Sequence, residues 1–542
     1  MTYEELYTAT SLLLADMSSG FGQTAWGTDY AKSLDAMQQE LLSACILAVS
    51  GRVSSGKSCL INTLLGVDLA VTGCLETTAT VNVFKAGVPP DKHRPVLCKW
   101  NDGTTEWKPL DFLQQLQGKE EETLRLTARI DQLVYYVDGN NMLDGVTLVD
   151  TPGLSAHAGA DGQAHQQHVE KYFGNRASKE TLELTNRADA VLYLFKDINQ
   201  QTDKDFILSL HGGGTGLSSL NGIGIYAMVD QKLETTPDMD GLMKKMGKEF
   251  EKELYCIQPV SCALLRYLPD VGYAHALQQQ LHEGFGTAAV FEKAVMSDKY
   301  FYNIKSELST EKRRGMVKQL TKGQEVAWSA VRIIMKELYY TDDVEASVRK
   351  LEQLSGIPQL RSLLDEHFFR RSKLLRCNKI MKALSVIVDE LEYGEYFRKT
   401  EEQALLKEQC MQFVQGQPEP YRSVLAELLE KHVPSRTQLE EERGKLLSFR
   451  VRIEELQRHL RAINDNYLCY RKTVENRHLF TEDQTTELTC LFSGQDMGEP
   501  AANRASFWKT VARQSPPNSV KQLIARTAAK AYDGLLKKDG IS

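Results

Sequence analysis

The chain has 542 residues, too many for a single hydrophobic core, so several structural units are expected. Charged residues make up 25% of it and apolar residues 42%, which is typical of a globular protein and excludes a disordered or fibrous chain. The net charge of −7 lacks the basic excess of a nucleic-acid-binding domain, so no nucleic-acid partner is expected.

The cysteines and the hydropathy pattern bear on the cellular compartment. Ten cysteines are scattered without a C-x-x-C pair, a pattern typical of free thiols in a reducing cytosol. No basic segment followed by a long apolar stretch opens the sequence, and no run of about 18 apolar residues occurs. The sequence therefore predicts a cytoplasmic protein that is at most peripherally attached to a membrane.

Two helices are predicted before the first strand. The second of them runs from about residue 28 to residue 43, with Leu34, Met37, Leu41 and Leu42 on one face. These helices need a surface to cover, and we expect residues 1–45 to pack on a helical stalk formed by later parts of the chain.

A phosphate-binding loop is predicted at residues 51–58, which match G-x-x-x-x-G-K-[ST] between the apolar run 46–49 and a helix-like segment. In this setting glycines let backbone N–H groups surround a phosphate, and the helix N-terminus adds its positive end. Lys57 is expected to reach the β- and γ-phosphates, and the Ser58 hydroxyl to ligate Mg²⁺. A glycine-rich turn without a ligand is the alternative. The predicted contact residues are Gly51, Ser54, Ser55, Gly56, Lys57, Ser58 and Cys59.

Short apolar runs alternate with helical stretches from residue 46 to about residue 265. The runs cover residues 81–84, 146–149, 190–195 and 224–229. Continuous apolar runs suit strands that are buried on both faces, so the pattern predicts an α/β domain with a mainly parallel sheet.

A second phosphate motif follows the run 146–149 and reads Asp150-Thr-Pro-Gly153. An aspartate at a strand end can hold Mg²⁺ through water, and the Gly153 N–H can bond a γ-phosphate. Such a loop can order when the triphosphate binds and relax after hydrolysis.

Two threonines precede the run 81–84. A GTPase with these motifs needs a threonine that completes the Mg²⁺ shell, and Thr78 is the predicted residue, with Thr77 as its alternative. Three β-forming residues that merely open a strand would give the same pattern.

Together these motifs resemble the dynamin superfamily of large GTPases, and its bacterial members more closely. The resemblance rests on residues 51–66, on the Thr77-Thr78 pair and on Asp150-Thr-Pro-Gly-Leu. It implies that the chain binds GTP and Mg²⁺ and self-associates through its GTPase domain.

The resemblance also implies a catalytic arrangement. Leu154 stands where Ras-like GTPases carry a glutamine that orients water. In dynamins a phosphate-loop serine and a monovalent cation, K⁺ or Na⁺, compensate when two GTPase domains dimerise, and Ser54 occupies the matching position. The predicted catalytic residues are Ser54, Lys57 and Thr78.

A base-reading motif, [NT]-K-x-D, is implied at the end of the run 224–229. The chain reads Ala227-Met-Val-Asp230 there, so the aspartate is present while the lysine and its neighbour are missing. Lys232 can stack from the other side. Ser261 lies at the centre of a segment that resembles the last guanine motif of the family. GTP is the expected nucleotide, and ATP is the alternative.

The strand signals nearly vanish after residue 265. Residues 266–354 predict a helical insertion, residues 355–370 resemble the closing helix of a dynamin GTPase domain, and residues 371–542 predict an all-helical bundle or stalk. An apolar series from Leu439 to Tyr470 has near-heptad spacing, typical of a bundle helix, with an intermolecular coiled coil as the alternative. The basic amphipathic segment 520–538 favours a last bundle helix over one lying on an anionic membrane.

The combined prediction is an α/β P-loop GTPase domain at residues 46–265 with an extended helical stalk. GTP binding and hydrolysis would drive dimerisation of the GTPase domain and move the stalk, in membrane remodelling or a vesicle-related process. A GTP-gated interaction protein with little turnover and an ATP-using P-loop protein with a helical arm are the alternatives. The sequence indicates neither a lipid nor a protein partner.

Overall fold

A computed structural model describes residues 3–22, 27–52, 55–70, 80–116, 121–151, 188–195, 207, 219–233, 235–236, 238–432, 435–493 and 501–538. The chain divides into two compact units. One unit is Leu42–Lys379, and the other combines Met1–Leu41 with Ile380–Ser542.

One sheet organises the unit Leu42–Lys379. Its described strands are β1 Cys45–Gly51, β2 Val81–Ala86, β3 Val96–Trp100, β4 Thr105–Lys108, β5 Ile130–Val137, β6 Val146–Asp150, β7 Ala190–Phe195, β8 Gly222–Tyr226 and β9 Cys256–Pro259. They are ordered β4-β3-β5-β2-β6-β1-β7-β8-β9.

The sheet is mainly parallel, as the apolar runs predict. Strand β1 pairs parallel with both β6 and β7, β7 with β8, β8 with β9, and β2 with β5. Antiparallel pairs join β2 to β6, and β3 to β4 and β5. All residues of β6, β7 and β8 are buried, which explains why these strands are continuous apolar runs in the sequence.

Strands β3, β4, β5 and β9 were not predicted from the sequence, and β4 and β5 show a different burial pattern. All of β4 is exposed or half-buried, and three of the eight residues of β5 are half-buried, so neither is a continuous apolar run. The run 224–229 also ends earlier than expected, because β8 stops at Tyr226 and a short 3₁₀ turn covers Val229–Gln231. Met228, with a left-handed φ of 57°, breaks the extended backbone there.

The α-helices of the described residues follow in chain order. They are α1 Tyr3–Gly22, α2 Thr28–Leu42, α3 Lys57–Leu65, α4 Glu121–Ala128, α5 Met239–Glu249, α6 Cys262–Arg266, α7 Val271–Phe285, α8 Ala288–Val295, α9 Asp298–Asn303, α10 Thr310–Leu320, α11 Trp328–Tyr340, α12 Val344–Leu354, α13 Ile357–Leu363, α14 Ser372–Tyr393, α15 Glu395–Gln415, α16 Tyr421–His432, α17 Arg436–Glu475, α18 Glu482–Ser493, α19 Ala501–Gln514 and α20 Val520–Lys538.

Helices α7 to α12 build a hydrophobic core of their own within the unit Leu42–Lys379. Its centre contains Leu277, Phe291, Phe301 and Ile334, all fully buried. Side chains fix the residue at which most of these helices begin, because the residue before the helix accepts a hydrogen bond from one of the helix's first free N–H groups. The capping residues are Asp270 for α7, Thr287 for α8, Ser297 for α9, Ser309 for α10 and Asp343 for α12.

The long helix α17 forms the main packing surface of the other unit. It begins with a capping box made by Ser435 and Gln438. Helix α1 packs on it, with the rings of Phe21 and Phe449 5.8 Å apart and edge to face. The buried residues follow the predicted apolar series as far as Leu460 and then move to other positions. These buried residues are Leu439, Leu446, Phe449, Ile453, Leu456, Leu460, Cys469 and Thr473.

The buried face of helix α2 differs from the prediction at one residue. In α2, Leu34 and Leu41 are buried, but Leu42 is 64% exposed, so the predicted face is wrong at this residue. Leu42 lies about 100° around the helix from Leu41, outside the stripe that Leu34 and Leu41 share.

In α20 the apolar face belongs to a core shared with α18 and α19. Its buried residues are Ile524, Ala525, Ala528, Ala529 and Tyr532.

Within the described part of the chain, no helix has the length and the apolar character to cross a membrane.

Candidate functional site

The carboxyl ends of four parallel strands meet at one edge of the sheet. Strands β1, β6, β8 and β9 all point the same way through the pairings that connect them with β7. The segment after β1 carries the phosphate loop, β6 ends at Asp150, and the segments after β8 and β9 carry Asp230 and Ser261. Topology therefore brings the separate sequence motifs to the same edge, the usual ligand site of such sheets.

Two glycines allow the tight loop between β1 and α3. Gly51 has a φ of 149°, and a Cβ atom there would lie 2.8 Å from the carbonyl oxygen of Leu194. Gly56 has a φ of 95° and immediately precedes the first residue of α3. Both backbone conformations strongly favour glycine, and the first also lacks space for any side chain.

Lys57 is the first residue of α3 and is 2% exposed. Its Nζ atom donates to the carbonyl oxygens of Gly51 at 3.2 Å and of Arg52 at 3.1 Å. Burial lowers the pKa of its ammonium group, while the neighbouring Asp150 raises that pKa. The lysine therefore brings a positive charge to the inside of the loop, at the N-terminus of α3 where an anion is favoured.

Ser58 and Asp150 lie next to each other although they are far apart in the sequence. The Ser58 hydroxyl donates to Oδ2 of Asp150 at 3.1 Å. The other oxygen, Oδ1, is buried and has no hydrogen-bond partner among the described residues. Burial raises the pKa of the Asp150 carboxyl to about 6, against the opposing effects of Lys57 and Ser58.

These two residues fit a hard divalent cation. A buried carboxylate oxygen without a partner is costly unless a cation or a donor satisfies it. Magnesium prefers oxygen ligands and is commonly held by one or two protein groups together with phosphate oxygens. The buried hydroxyl of Ser55 also has no partner among the described residues, which leaves it free to bind a ligand in the loop.

The predicted base-reading residues lie together, but their hydrogen bonds were not predicted. The Ser261 hydroxyl donates to Oδ1 of Asp230 at 2.6 Å, and the Ser329 hydroxyl donates to Oδ2. Asp230 is 3% exposed. Ser261 also accepts from the N–H of Leu264 and caps α6.

Ser329 was missed by sequence reasoning. It lies near the start of α11, in the segment 266–354, and nothing in its local sequence marks it as a neighbour of Asp230. Both oxygens of Asp230 therefore already accept a hydrogen bond from a side chain of the protein.

Met228 stands where the family motif has its lysine. Its Cε atom lies 3.7 Å from the position that a Cβ atom on Gly56 would take, so the thioether reaches the phosphate loop. The side chain of Lys232 lies elsewhere, because its Nζ atom is 4.4 Å from the centre of the Tyr226 ring. Met228, rather than Lys232, therefore reaches the phosphate loop.

Cys59, the last residue of the predicted loop contacts, has two polar neighbours. Nη1 of Arg266 donates to its Sγ atom at 3.7 Å. A hydrogen bond from Cys262 and the charge of Arg266 lower the pKa of the Cys59 thiol to about 6, although burial acts in the opposite direction. Cys262 and Arg266 come from α6 and were not among the predicted site residues.

The structure brings together the predicted residues Gly51, Ser55, Gly56, Lys57, Ser58, Cys59 and Asp150, and it pairs Asp230 with Ser261. The remaining predicted residues, Ser54, Thr77, Thr78 and Gly153, lie outside the described residues, as does Leu154.

Comparison with known families finds a match to one segment within the first half of the chain. Residues 47–210 match the family model Dynamin_N, which describes the dynamin family. The match includes the phosphate loop, the Thr77-Thr78 pair and the segment that follows β6.

Comparison with characterised proteins finds the isoniazid-induced protein IniC of Mycobacterium tuberculosis, in the strains CDC 1551 / Oshkosh and ATCC 25618 / H37Rv. Each is 26% identical to the chain over 246 residues, which cover 42% of this chain and 44% of the relative. The similarity thus spans less than half the length of these relatives.

Comparison with solved structures finds weak matches. A structure of an oligomerised bacterial dynamin pair, described as sensing and tethering membranes, is 12% identical with a TM-score of 0.32, covering 98% of this chain and 90% of the other. A structure of Era with MgGDPNP and a 16S ribosomal RNA segment is 15% identical with a TM-score of 0.22, covering 41% of this chain and 51% of the other. Both TM-scores are below 0.5, which is too low to show a shared fold.

Proposed function

We propose that this chain, which is dynamin-like over its residues 47–210, binds and hydrolyses GTP with the help of Mg²⁺. One observation carries the proposal. The buried cation of Lys57 lies beside a Ser58–Asp150 pair whose second carboxylate oxygen has no partner among the described residues. A positive loop next to an oxygen site for a hard cation is the arrangement that a triphosphate with its metal needs.

Each residue of the loop has a defined task in this proposal. The N–H groups at the start of α3 bind phosphate oxygens, and Lys57 neutralises charge on the β- and γ-phosphates. The Ser58 hydroxyl and the Asp150 carboxylate hold Mg²⁺, directly or through water. A metal held by these two residues would supply positive charge against the negative charge that develops on the phosphates during hydrolysis.

Further residues are proposed from the family pattern. Thr78, or Thr77 in its place, would complete the Mg²⁺ shell, and the Gly153 N–H would bond the γ-phosphate. Ser54 would act in hydrolysis together with K⁺ or Na⁺. Because Leu154 cannot orient water, hydrolysis is proposed to need a second GTPase domain.

The choice of base depends on Asp230. Guanine recognition through Asp230 requires that its oxygens accept from the base while Ser261 and Ser329 also donate to them. Each carboxylate oxygen has two acceptor positions, so one hydroxyl and one base N–H can share it. The occupied carboxylate and the missing lysine favour an ATP-using protein as the second candidate.

The helical regions support a proposal about partners. Helices α15 and α16 expose several large apolar side chains, which is unusual for a surface without a contact partner. We propose that nucleotide-dependent dimerisation moves the helical unit and that this surface meets a partner, a second copy or a membrane. The exposed residues are Leu405, Leu406, Phe413, Tyr421, Val424 and Leu428.

The proposed nucleotide site is tested by Lys57→Ala, with Lys92→Ala, an exposed lysine of the same unit, as the matched control. Fluorescent GTP and ATP analogues are titrated against both variants in Mg²⁺. Lys57→Ala should weaken GTP binding at least about a hundredfold, a loss of roughly 3 kcal/mol, while Lys92→Ala binds like the unchanged protein. Unchanged GTP affinity in a folded Lys57→Ala variant would contradict the proposed nucleotide site. Tighter binding of ATP than of GTP would instead favour the ATP-using protein.

A further inference from the structure

Two thiols lie together beside the proposed nucleotide site. Cys59 is in the first turn of α3 and directly follows Ser58, while Cys262 is the first residue of α6 and directly follows Ser261. Helices α3 and α6 pack against each other, and the side chains of Cys59 and Cys262 neighbour one another at this contact. Both thiols are free, and both residues are half-buried.

The position of Cys59 is held from a third side. Arg266, one turn along α6 from Cys262, donates from Nη1 to the Cys59 sulfur at 3.7 Å. Nη2 of the same guanidinium pairs with Asp68, just after the end of α3. Arg266 thus holds the Cys59 sulfur against the face of α6 that also carries Cys262, because residues four apart in a helix share one face.

We propose that Cys59 and Cys262 form a reversible disulfide, with a hydroperoxide as the oxidant, and that this bond weakens nucleotide binding. The part that concerns the nucleotide rests on the proposed function, whereas formation of the disulfide does not. The cysteine pair connects the phosphate end of the proposed site with its base end. Cys59 neighbours the proposed Mg²⁺ ligand Ser58, and Cys262 neighbours Ser261, the partner of Asp230.

The chemistry is balanced with hydrogen peroxide. The Cys59 sulfur attacks one oxygen, the O–O bond breaks, and the products are a sulfenic acid on Cys59 and one water. The Cys262 sulfur then attacks the Cys59 sulfur, the S–O bond breaks, and the hydroxyl leaves as a second water with the Cys262 proton. Two electrons pass from the thiols to the peroxide, and a dithiol reductant returns them.

The bond would change the geometry of the site. A disulfide holds its sulfur atoms about 2.0 Å apart, much closer than two thiols that are not bonded to each other. Closing that gap draws the start of α6 towards α3, and Ser261 with its partner Asp230 moves with it. The phosphate end and the base end of the site then no longer have the spacing found in the reduced protein.

The experiment uses the full chain, reduced and then treated with hydrogen peroxide. Remaining thiols are alkylated, and linked peptides are mapped by mass spectrometry. We expect a Cys59–Cys262 link that dithiothreitol removes and that Cys262→Ala lacks. A link from Cys59 to Cys74, which lies outside the described residues, or no link under conditions that oxidise the exposed Cys410, would overturn the proposal.

The second readout is GTP affinity before and after peroxide. Affinity should fall at least about tenfold in the unchanged protein and in the matched control Cys410→Ala, and dithiothreitol should restore it. Cys262→Ala should keep its affinity. An equal loss of GTP affinity in Cys262→Ala would show that oxidation of Cys59 alone weakens GTP binding, and this would contradict the disulfide as the cause. Lack of GTP binding by the reduced protein would instead refute the proposed function, and the peptide mapping would still decide whether the disulfide forms.

Discussion

At the scale of single residues, the site is defined by groups whose charge is set by burial. Lys57 and Asp150 are both almost fully buried, and burial acts against the charged form of each. Their mutual attraction partly offsets that cost. Such a pair is poised to respond to a ligand that carries both phosphate and a divalent cation, because the ligand satisfies both charges at once.

The pKa of Asp150 leads to a prediction about pH. The cation needs the carboxylate, and the pKa of this carboxyl is raised to about 6 by burial, so protons compete with Mg²⁺ below that pH. Mg²⁺-dependent GTP affinity should be constant above about pH 7 and fall towards tenfold per pH unit below about pH 6.

Isothermal titration across pH measures this dependence. Asp150→Asn is the control, because it keeps any pH dependence that comes from the phosphate groups and loses the part that comes from the carboxyl. Identical pH profiles for both proteins would show that Asp150 does not hold the metal.

Asp230 allows a prediction that separates base reading from structural support. Asp230→Asn should weaken GTP and favour xanthosine triphosphate, whose base offers an acceptor where guanine offers a donor. We expect the ratio of the affinities for GTP and xanthosine triphosphate to change by at least about a hundredfold, because a site built around one hydrogen-bonding edge of a base rejects the other edge strongly.

The control for Asp230→Asn is Ser329→Ala, which removes a hydrogen-bond donor to Asp230 but keeps the carboxylate. It should cost about 1 kcal/mol of unfolding free energy and leave the preference for guanine unchanged. Competition binding and thermal unfolding of both variants provide the test. Loss of stability in both without a change of preference would mean that Asp230 only supports the fold.

At the scale of secondary-structure elements, a buried ion pair joins several segments near the start of β1. Asp189, just before β7, pairs with Arg376 of α14, and both side chains are almost fully buried. The carboxylate also accepts from the N–H of Ile46, and the guanidinium donates to the carbonyl oxygens of Ser43 and Ala44. One pair thus satisfies the backbone groups at the point where the chain enters the sheet.

Arg376→Ala is expected to be strongly destabilising. Removal of the guanidinium leaves the buried Asp189 carboxylate without its counter-charge and takes the donor from two backbone carbonyl groups, so the unfolding free energy should fall by about 3 to 5 kcal/mol. Urea unfolding measures the change. As a control, Arg349→Ala breaks an exposed ion pair with Glu345 within α12 and should change stability by less than about 0.5 kcal/mol. Equal effects of the two variants would contradict the role given to the buried pair.

At the scale of the whole molecule, each unit has its own hydrophobic core. The sheet packs on a core that includes Leu60, Leu148 and Leu192, while the C-terminal helices pack around Trp508. A buried glutamate, Glu487, holds that second core together by accepting hydrogen bonds from Trp508 and Tyr532. Each of these two cores is thus built from residues of a single unit.

The proposed dimerisation predicts that hydrolysis depends on protein concentration. Activity per molecule should rise over a dilution series, because Leu154 cannot orient water within one chain and the second GTPase domain must contribute. Ser54→Ala should flatten the rise with little change in GTP affinity, since Lys57 and the loop N–H groups make most phosphate contacts.

Sedimentation in a transition-state analogue accompanies the activity measurement, and a parallel series with liposomes tests membrane contact. Activity strictly proportional to concentration, with a monomer throughout, would contradict the dimer and favour a GTP-gated interaction protein. A rise that persists in Ser54→Ala would assign catalysis to another residue.

Some features of this protein could be predicted from the sequence because they depend on local geometry. The spacing of Gly51, Gly56, Lys57 and Ser58 defines a strand–loop–helix turn whose backbone needs no distant contact. Strands β6, β7 and β8 are apolar at nearly every position because both sheet faces are covered, so they are visible as runs. Edge strands such as β4 lack this signal, since one face or one edge meets solvent.

The sequence by itself thus determined the phosphate loop, the mainly parallel sheet and the helical character of the second half. Only the tertiary structure decided that Ser329 donates to Asp230 from 99 residues away and that Cys262 and Arg266 meet Cys59. These contacts depend on how separate helices pack against the carboxyl edge of the sheet. Hydrophobic periodicity specifies which face of a helix is buried, but not which polar side chain at its end will lie beside a given residue of another element.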